Sequence, residues 1–192
     1  MKNIAVFASG KGSNALALID HFNGKGSKVA RVVLVLTNNP DAAVLATAPA
    51  AGVPARLLDP AEYNSGEVLA ELLFDADVDL IVLAGYIKRI PEDLIEQFPN
   101  AIVNIHPSLL PKYGGKGMYG MLVHEAVVEN GEKMSGITIH YVNEEYDQGE
   151  IIQQVRLPVN PKWTAAQLQQ HIQRLEHQHL PLTVEKICAR MK

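Results

Sequence analysis

Short apolar runs alternate along this chain with longer segments whose apolar residues recur every three or four positions. The runs Asn3 to Ala8, Val29 to Leu36, Pro54 to Leu58, Leu80 to Leu83 and Ala101 to His106 predict strands. Leu80 to Leu83 is apolar throughout, as a strand buried on both faces should be. Helical spacing predicts a helix from Leu16 to Asn23-Gly24, one over 41–51, and one from Ala61 to Ala76 built on Val68, Leu69, Leu72 and Leu73. Further helices are expected over Leu94 to Phe98, Met118 to Glu129 and Thr164 to Met191, the last with Pro181 as a break point. Strands that alternate with helices imply a mostly parallel, right-handedly wound sheet with helices on both faces. Ser135 to Val142 and Glu150 to Leu157, joined by the acidic turn 143–149, read instead as a C-terminal antiparallel hairpin.

Composition narrows the class. With 192 residues, 47% hydrophobic and 20% charged, the chain is long enough for one sizeable core and reads as a single α/β domain, 1–192. A formal net charge of −4 argues against a partner that is a nucleic-acid backbone. The single cysteine, Cys188, excludes an internal disulfide and reads as a buried apolar residue. No segment has the length to span a membrane, and Ile4 to Phe7 is too short for a signal-peptide core, so a cytoplasmic location is expected.

Two stretches carry chemistry. Ser9-Gly10-Lys11-Gly12-Ser13-Asn14-Ala15 stands between a strand and a helix and fits G-x-G-x-x-A, a loop whose backbone can approach a phosphate at a helix N-terminus. Ser13 or Asn14 would also serve as the N-cap. A dinucleotide site wants an acidic residue at the tip of strand 2, but that tip is Thr37-Asn38-Asn39-Pro40, which favours a mononucleotide or sugar phosphate. The second stretch is Asn104-Ile105-His106-Pro107-Ser108-Leu109-Leu110-Pro111. Residues two apart share a strand face, so Asn104 and His106 project together where the prolines end the ladder. An aspartate beside His106 would orient it, raise its pKa and favour the imidazolium; Asp147, in the acidic turn, is the candidate. An imidazolium and an amide aimed at one point would stabilise an oxyanion. The loop after Pro111, rich in glycine, is expected to be mobile. His177 and His179 face different ways on a helix, and the other histidines show no ligand spacing, so no metal site is expected.

The motif N-I-H-P-S-L-L-P with Asp147-Gln148-Gly149 downstream resembles the folate-dependent formyltransferase family. The loop S-G-K-G-S-N at 9–14, L-A-G-Y at 83–86, Glu176 and the chain length resemble the member that formylates glycinamide ribonucleotide in purine synthesis. The resemblance implies a Rossmann-like formyltransferase fold, with 1–100 as the phosphate-binding half and 101–192 as the folate and catalytic half. It implies 10-formyltetrahydrofolate as co-substrate, no metal, small-molecule partners only, and a monomer or homodimer. Asn104, His106 and Asp147 match the family's catalytic residues. Gly12, Ser13 and Asn14 match its phosphate loop, and Gln173 and Glu176 its ribose side. Lys88, Arg89 and Ile90, with Asn104 and Asn143, Glu144 and Asp147, match its folate pocket. Two departures stand out: Gly66 takes the place of an arginine near the folate tail, and the loop after Tyr113 is about five residues longer than the family spacing implies. The alternatives are a related transferase or deformylase acting on another amine, and a nucleotide-binding Rossmann module without catalysis.

Overall fold

The computed structural model describes residues 1–24 and 26–191. Seven strands form one sheet: β1 (Lys2–Phe7), β2 (Ala30–Thr37), β3 (Ala55–Leu57), β4 (Leu80–Leu83), β5 (Ile102–His106), β6 (Met134–Tyr141) and β7 (Ile151–Pro158). Their order is β3-β2-β1-β4-β5-β6-β7, parallel as far as β5, with β6 and β7 added antiparallel. The expected parallel sheet with a C-terminal hairpin is what the chain forms. Strand alternation sends Ile4 and Val6 to one face and Ala5 and Phe7 to the other. The first face is covered by α1 (Ser13–Ile19), α2 (Val44–Ala50), α6 (Met121–Glu129) and α7 (Ala165–Arg190). Leu69 and Leu73 of α4 (Gly66–Asp75) and Leu94 of α5 (Glu92–Gln97) cover the second. The order reverses between β1 and β4, and open α/β sheets hold ligands beyond their strand ends at such a point.

Four local expectations change. The helix read as Ala61 to Ala76 is two, α3 (Pro60–Tyr63) and α4, because Ser65 caps a fresh start by accepting from the Val68 N–H at 3.3 Å. Gly66 opens α4 directly beneath α5; a Cβ there would lie 2.6 Å from the Leu94 nitrogen, so close helix packing requires glycine. The helix expected from Met118 begins at Met121, since Gly120 sits at φ 57°, outside the helical region. The last helix runs unbroken through Pro181 for 26 residues, opened by a Thr164–Gln167 capping box. Neither Ser13 nor Asn14 caps α1: the N-cap is Gly12, left-handed at φ 71°, with Val44 packed where its Cβ would be.

Candidate active site

The end of β5 presents the central pair. Asn104 and His106 are on one strand face, as their spacing requires, and the turn beyond them is pinned by Thr138 of β6. The Thr138 hydroxyl donates to the Ser108 carbonyl (2.7 Å) and accepts from the Leu110 N–H (3.0 Å). Register then adds a residue that sequence spacing does not reveal: β5 and β6 pair Asn104 opposite His140. The Asn104 amide nitrogen lies 3.1 Å from His140 Nε2 and donates to Asp147 Oδ1 at 3.4 Å. Asp147 thus stands between two imidazoles, 3.6 Å from His106 Nδ1 and 3.6 Å from His140 Nε2. It adopts φ 56°, a left-handed conformation uncommon outside glycine and asparagine, and its other oxygen accepts from the Gly115 N–H at 2.8 Å.

Carbonyl partners assign the tautomers, since a carbonyl can only accept. His106 Nε2 lies 2.7 Å from the Tyr113 carbonyl and His140 Nδ1 lies 2.8 Å from that of Tyr141, so each of those nitrogens carries the proton. In neutral His106 the lone pair is therefore on Nδ1, the nitrogen facing Asp147. The expectation of a raised His106 pKa is overturned. Burial pushes it below the ordinary histidine value and His140 adds to this, outweighing Asp147 and the Tyr113 carbonyl. Burial acts on Asp147 in the upward direction, but the rings of His140 and His106 and the Gly115 N–H prevail and hold it below the usual carboxylate range.

Around this cluster lies a cavity of about 430 Å³, within the size range of small-molecule sites. Lys88, Arg89, Ile90, Asn143 and Glu144 line it, and the Arg89 guanidinium ties the two segments by donating to the Glu144 carbonyl at 2.9 Å. On the other side it reaches Asn14, Gln173 and Glu176. Asn14 donates to Glu176 at 2.9 Å and Gln173 donates to the Ser13 hydroxyl at 2.7 Å, joining the glycine loop to α7. Burial pushes the Glu176 carboxyl up to about 7 against the opposing Asn14 hydrogen bond. Gly12, Ser13 and Gly66 are outside the cavity lining. The glycine loop after Pro111, expected to be mobile, is tied at Tyr113 and Gly115 to the two central residues.

Three contributors escaped sequence reasoning. His140 needed the β5–β6 register, and the Tyr113 carbonyl carries no sequence signal at all. His124 lines the cavity while only 3% exposed, its Nδ1 without a partner, and burial followed by the charge of His106 pushes it down to about 4. Cys188 is buried as expected, its thiol pushed up to about 12. Among the described residues no group of three His, Cys, Asp or Glu side chains could hold a metal ion, and no helix is long and apolar enough to cross a membrane.

A family model described as formyl transferase matches residues 2–184. A chloroplastic phosphoribosylglycinamide formyltransferase of Arabidopsis thaliana is 41% identical over 192 residues, covering 97% of this chain and 65% of its own. The Bacillus subtilis (strain 168) phosphoribosylglycinamide formyltransferase is 33% identical over 97% of this chain and 95% of its own. The chain thus spans less than two thirds of the plant relative and nearly all of the bacterial one. The crystal structure of glycinamide ribonucleotide transformylase 1 from Symbiobacterium toebii superposes with a TM-score of 0.89 at 36% identity, covering 98% of this chain and 88% of that one.

Proposed function

The chain belongs to the formyl transferase family, and from that premise we propose that it moves a formyl group from 10-formyltetrahydrofolate to the primary amine of glycinamide ribonucleotide. The observation that carries the reading is the convergence of Asn104, His106 and Asp147 on one cavity with polar groups at both ends. Lys88 to Ile90 and Asn143 to Glu144 take the folate. Asn14, Gln173 and Glu176 take the ribose side of the nucleotide, with the 9–14 loop backbone toward its phosphate.

In this reading His106 carries the proton. Its Nε2–H is held by the Tyr113 carbonyl at 2.7 Å and its Nδ1 faces Asp147 Oδ2 at 3.6 Å, so Nδ1 is the ring nitrogen that exchanges a proton with the reacting groups. The amine attacks the formyl carbon; the new C–N bond forms and the carbonyl π pair moves to oxygen. Asn104 donates to that oxyanion. The proton of the attacking nitrogen passes to His106 Nδ1, and Asp147 stabilises the imidazolium so produced. On collapse the carbonyl reforms and the bond to the folate nitrogen breaks. That nitrogen keeps the bonding pair and takes the proton back from His106.

Formyl transfer measured with 10-formyltetrahydrofolate and a panel of phosphorylated and unphosphorylated amines tests the reading. Glycinamide ribonucleotide should be the preferred acceptor. Preference for another amine would give the chain to a related transferase, release of formate to a deformylase, and no turnover to a binding module. His106→Ala should lower the rate by about 10²–10⁴. His106 is 4% exposed, so the change also leaves the Tyr113 carbonyl unpaired, at about 1–3 kcal/mol in stability.

A further inference from the structure

We infer that the chain carries a second ligand site, at the C-terminal end of α7, which takes a small phosphate monoester with an apolar group attached. The inference does not depend on the proposed reaction, because the two cavities share no lining residue.

The site is a cavity of about 440 Å³, close in size to the one around Asp147 and within the range of small-molecule sites. The first half of α7 serves the candidate active site through Gln173 and Glu176, and its last turns serve this one. Thr183, Lys186, Ile187 and Arg190 follow the i, i+3, i+4, i+7 spacing of a single helix face and form one wall. β7 supplies the facing wall with Ile152 and Gln153. The Gln153 side chain and the Thr183 hydroxyl meet at 2.5 Å, which ties helix to strand across the cavity. Ile152, Ile187 and Met191 make part of the lining apolar, and Ile187 is anchored in the core.

Charge selects the ligand. The chain has a formal net charge of −4, yet the described residues that line this cavity include two cations and no carboxylate. Lys186 and Arg190 stand one helical turn apart and are exposed, and neither has an ion-pair partner among the described residues. Glu185, the nearest acid along the helix, is turned to His21 at 3.2 Å. Like charges at this spacing repel, and an anion held between them relieves the repulsion. The negative end of the helix dipole accounts for a cation in the last turn, where Arg190 stands, but Lys186 lies before that turn. Tyr141 of β6 and Asn100, just before β5, complete the lining with a hydroxyl and an amide that can donate. A guanidinium fork beside an ammonium suits a phosphate dianion better than a carboxylate, and the isoleucines suit the group attached to it.

The probe is phenyl phosphate, followed in the full chain through the assigned methyl signals of Ile152, Ile187 and Met191. Saturable shifts are expected at a Kd of about 1 mM or tighter. Inorganic phosphate lacks the apolar group, benzyl alcohol the charge and benzoate the second charge, so each should bind more weakly. Lys186→Gln and Arg190→Gln change exposed side chains, so both variants should fold. Each should weaken phenyl phosphate by about threefold or more, and the double variant should lose saturable binding. Formyl transfer without the probe should be unchanged in all three. Absence of a saturable shift up to about 20 mM, unchanged binding in the double variant, or benzoate binding as tightly as phenyl phosphate would overturn the inference. The methyl signals need no turnover, so a wild type that fails to transfer formyl would count against the proposed reaction and leave this site to be judged by its own titration.

Discussion

Replacing Glu176 by glutamine should make the protein more stable than the wild type at alkaline pH and not at acid pH. The carboxyl stands on α7 and accepts a hydrogen bond from Asn14, and burial moves its pKa from 4.5 to about 7. A shift of that size corresponds to about 3 kcal/mol between the two protonation states. Part of the residue's surface faces the cavity, where water recovers some of the cost, so about 2 kcal/mol is the term to expect. Its sign follows from proton uptake. Because the folded pKa is the higher one, the folded state binds more protons between pH 4.5 and about 7. The contribution is present in full below the unfolded value and is lost as pH rises through the folded one. Glutamine keeps an oxygen for the Asn14 amide and never ionises, so this term vanishes in Glu176→Gln. Urea unfolding at pH 5 and pH 8 reads the difference. Relative to wild type, the variant should gain about 2 kcal/mol on going from the lower pH to the higher. A variant-minus-wild-type difference that is the same at both pH values would refute the enclosed carboxylate and the cavity geometry behind it.

Removing the charge of Asp147 as Asp147→Asn should lower the His106 pKa further, read by NMR titration, and slow formyl transfer. Since the folded pKa of His106 is already below the ordinary value, its contribution is present above pH 6.5 and is lost on acidification. The variant should deepen that acid loss, and an unchanged midpoint would remove Asp147 from the pairing. In the glycine loop, Gly12→Ala places a Cβ about 2.5 Å from Val44 at φ 71° and should cost about 1–3 kcal/mol by urea unfolding. Gly10 has nothing within 4 Å of its Cβ position, so Gly10→Val should leave stability within about 0.5 kcal/mol. It should still weaken binding of glycinamide ribonucleotide by calorimetry; undiminished affinity would remove the loop from the phosphate site.

Hydrophobic period and strand alternation are local properties, and on them the order of strands and helices, the C-terminal hairpin and the shared face of Asn104 and His106 were legible in the amino-acid sequence alone. So was the Thr164 cap, because a capping box closes within four residues. The departures arise where distant segments meet. Gly66 and Gly12 answer to the helix of Leu94 and to Val44, a matter of packing that spacing cannot express.

 The helix in question is α5, whose Leu94 nitrogen leaves no room for a side chain at position 66. His140 reached the site through the β5–β6 register, 36 residues from Asn104, and the Tyr113 carbonyl through a loop whose backbone no side-chain pattern encodes. The pKa of His106 was the hardest quantity to foresee. Its neighbour Asp147 was legible in the motif and acts upward, but the sign is set by the sum over every group that excludes water from the ring. Only the folded chain performs that sum, and in it burial outweighs the carboxylate.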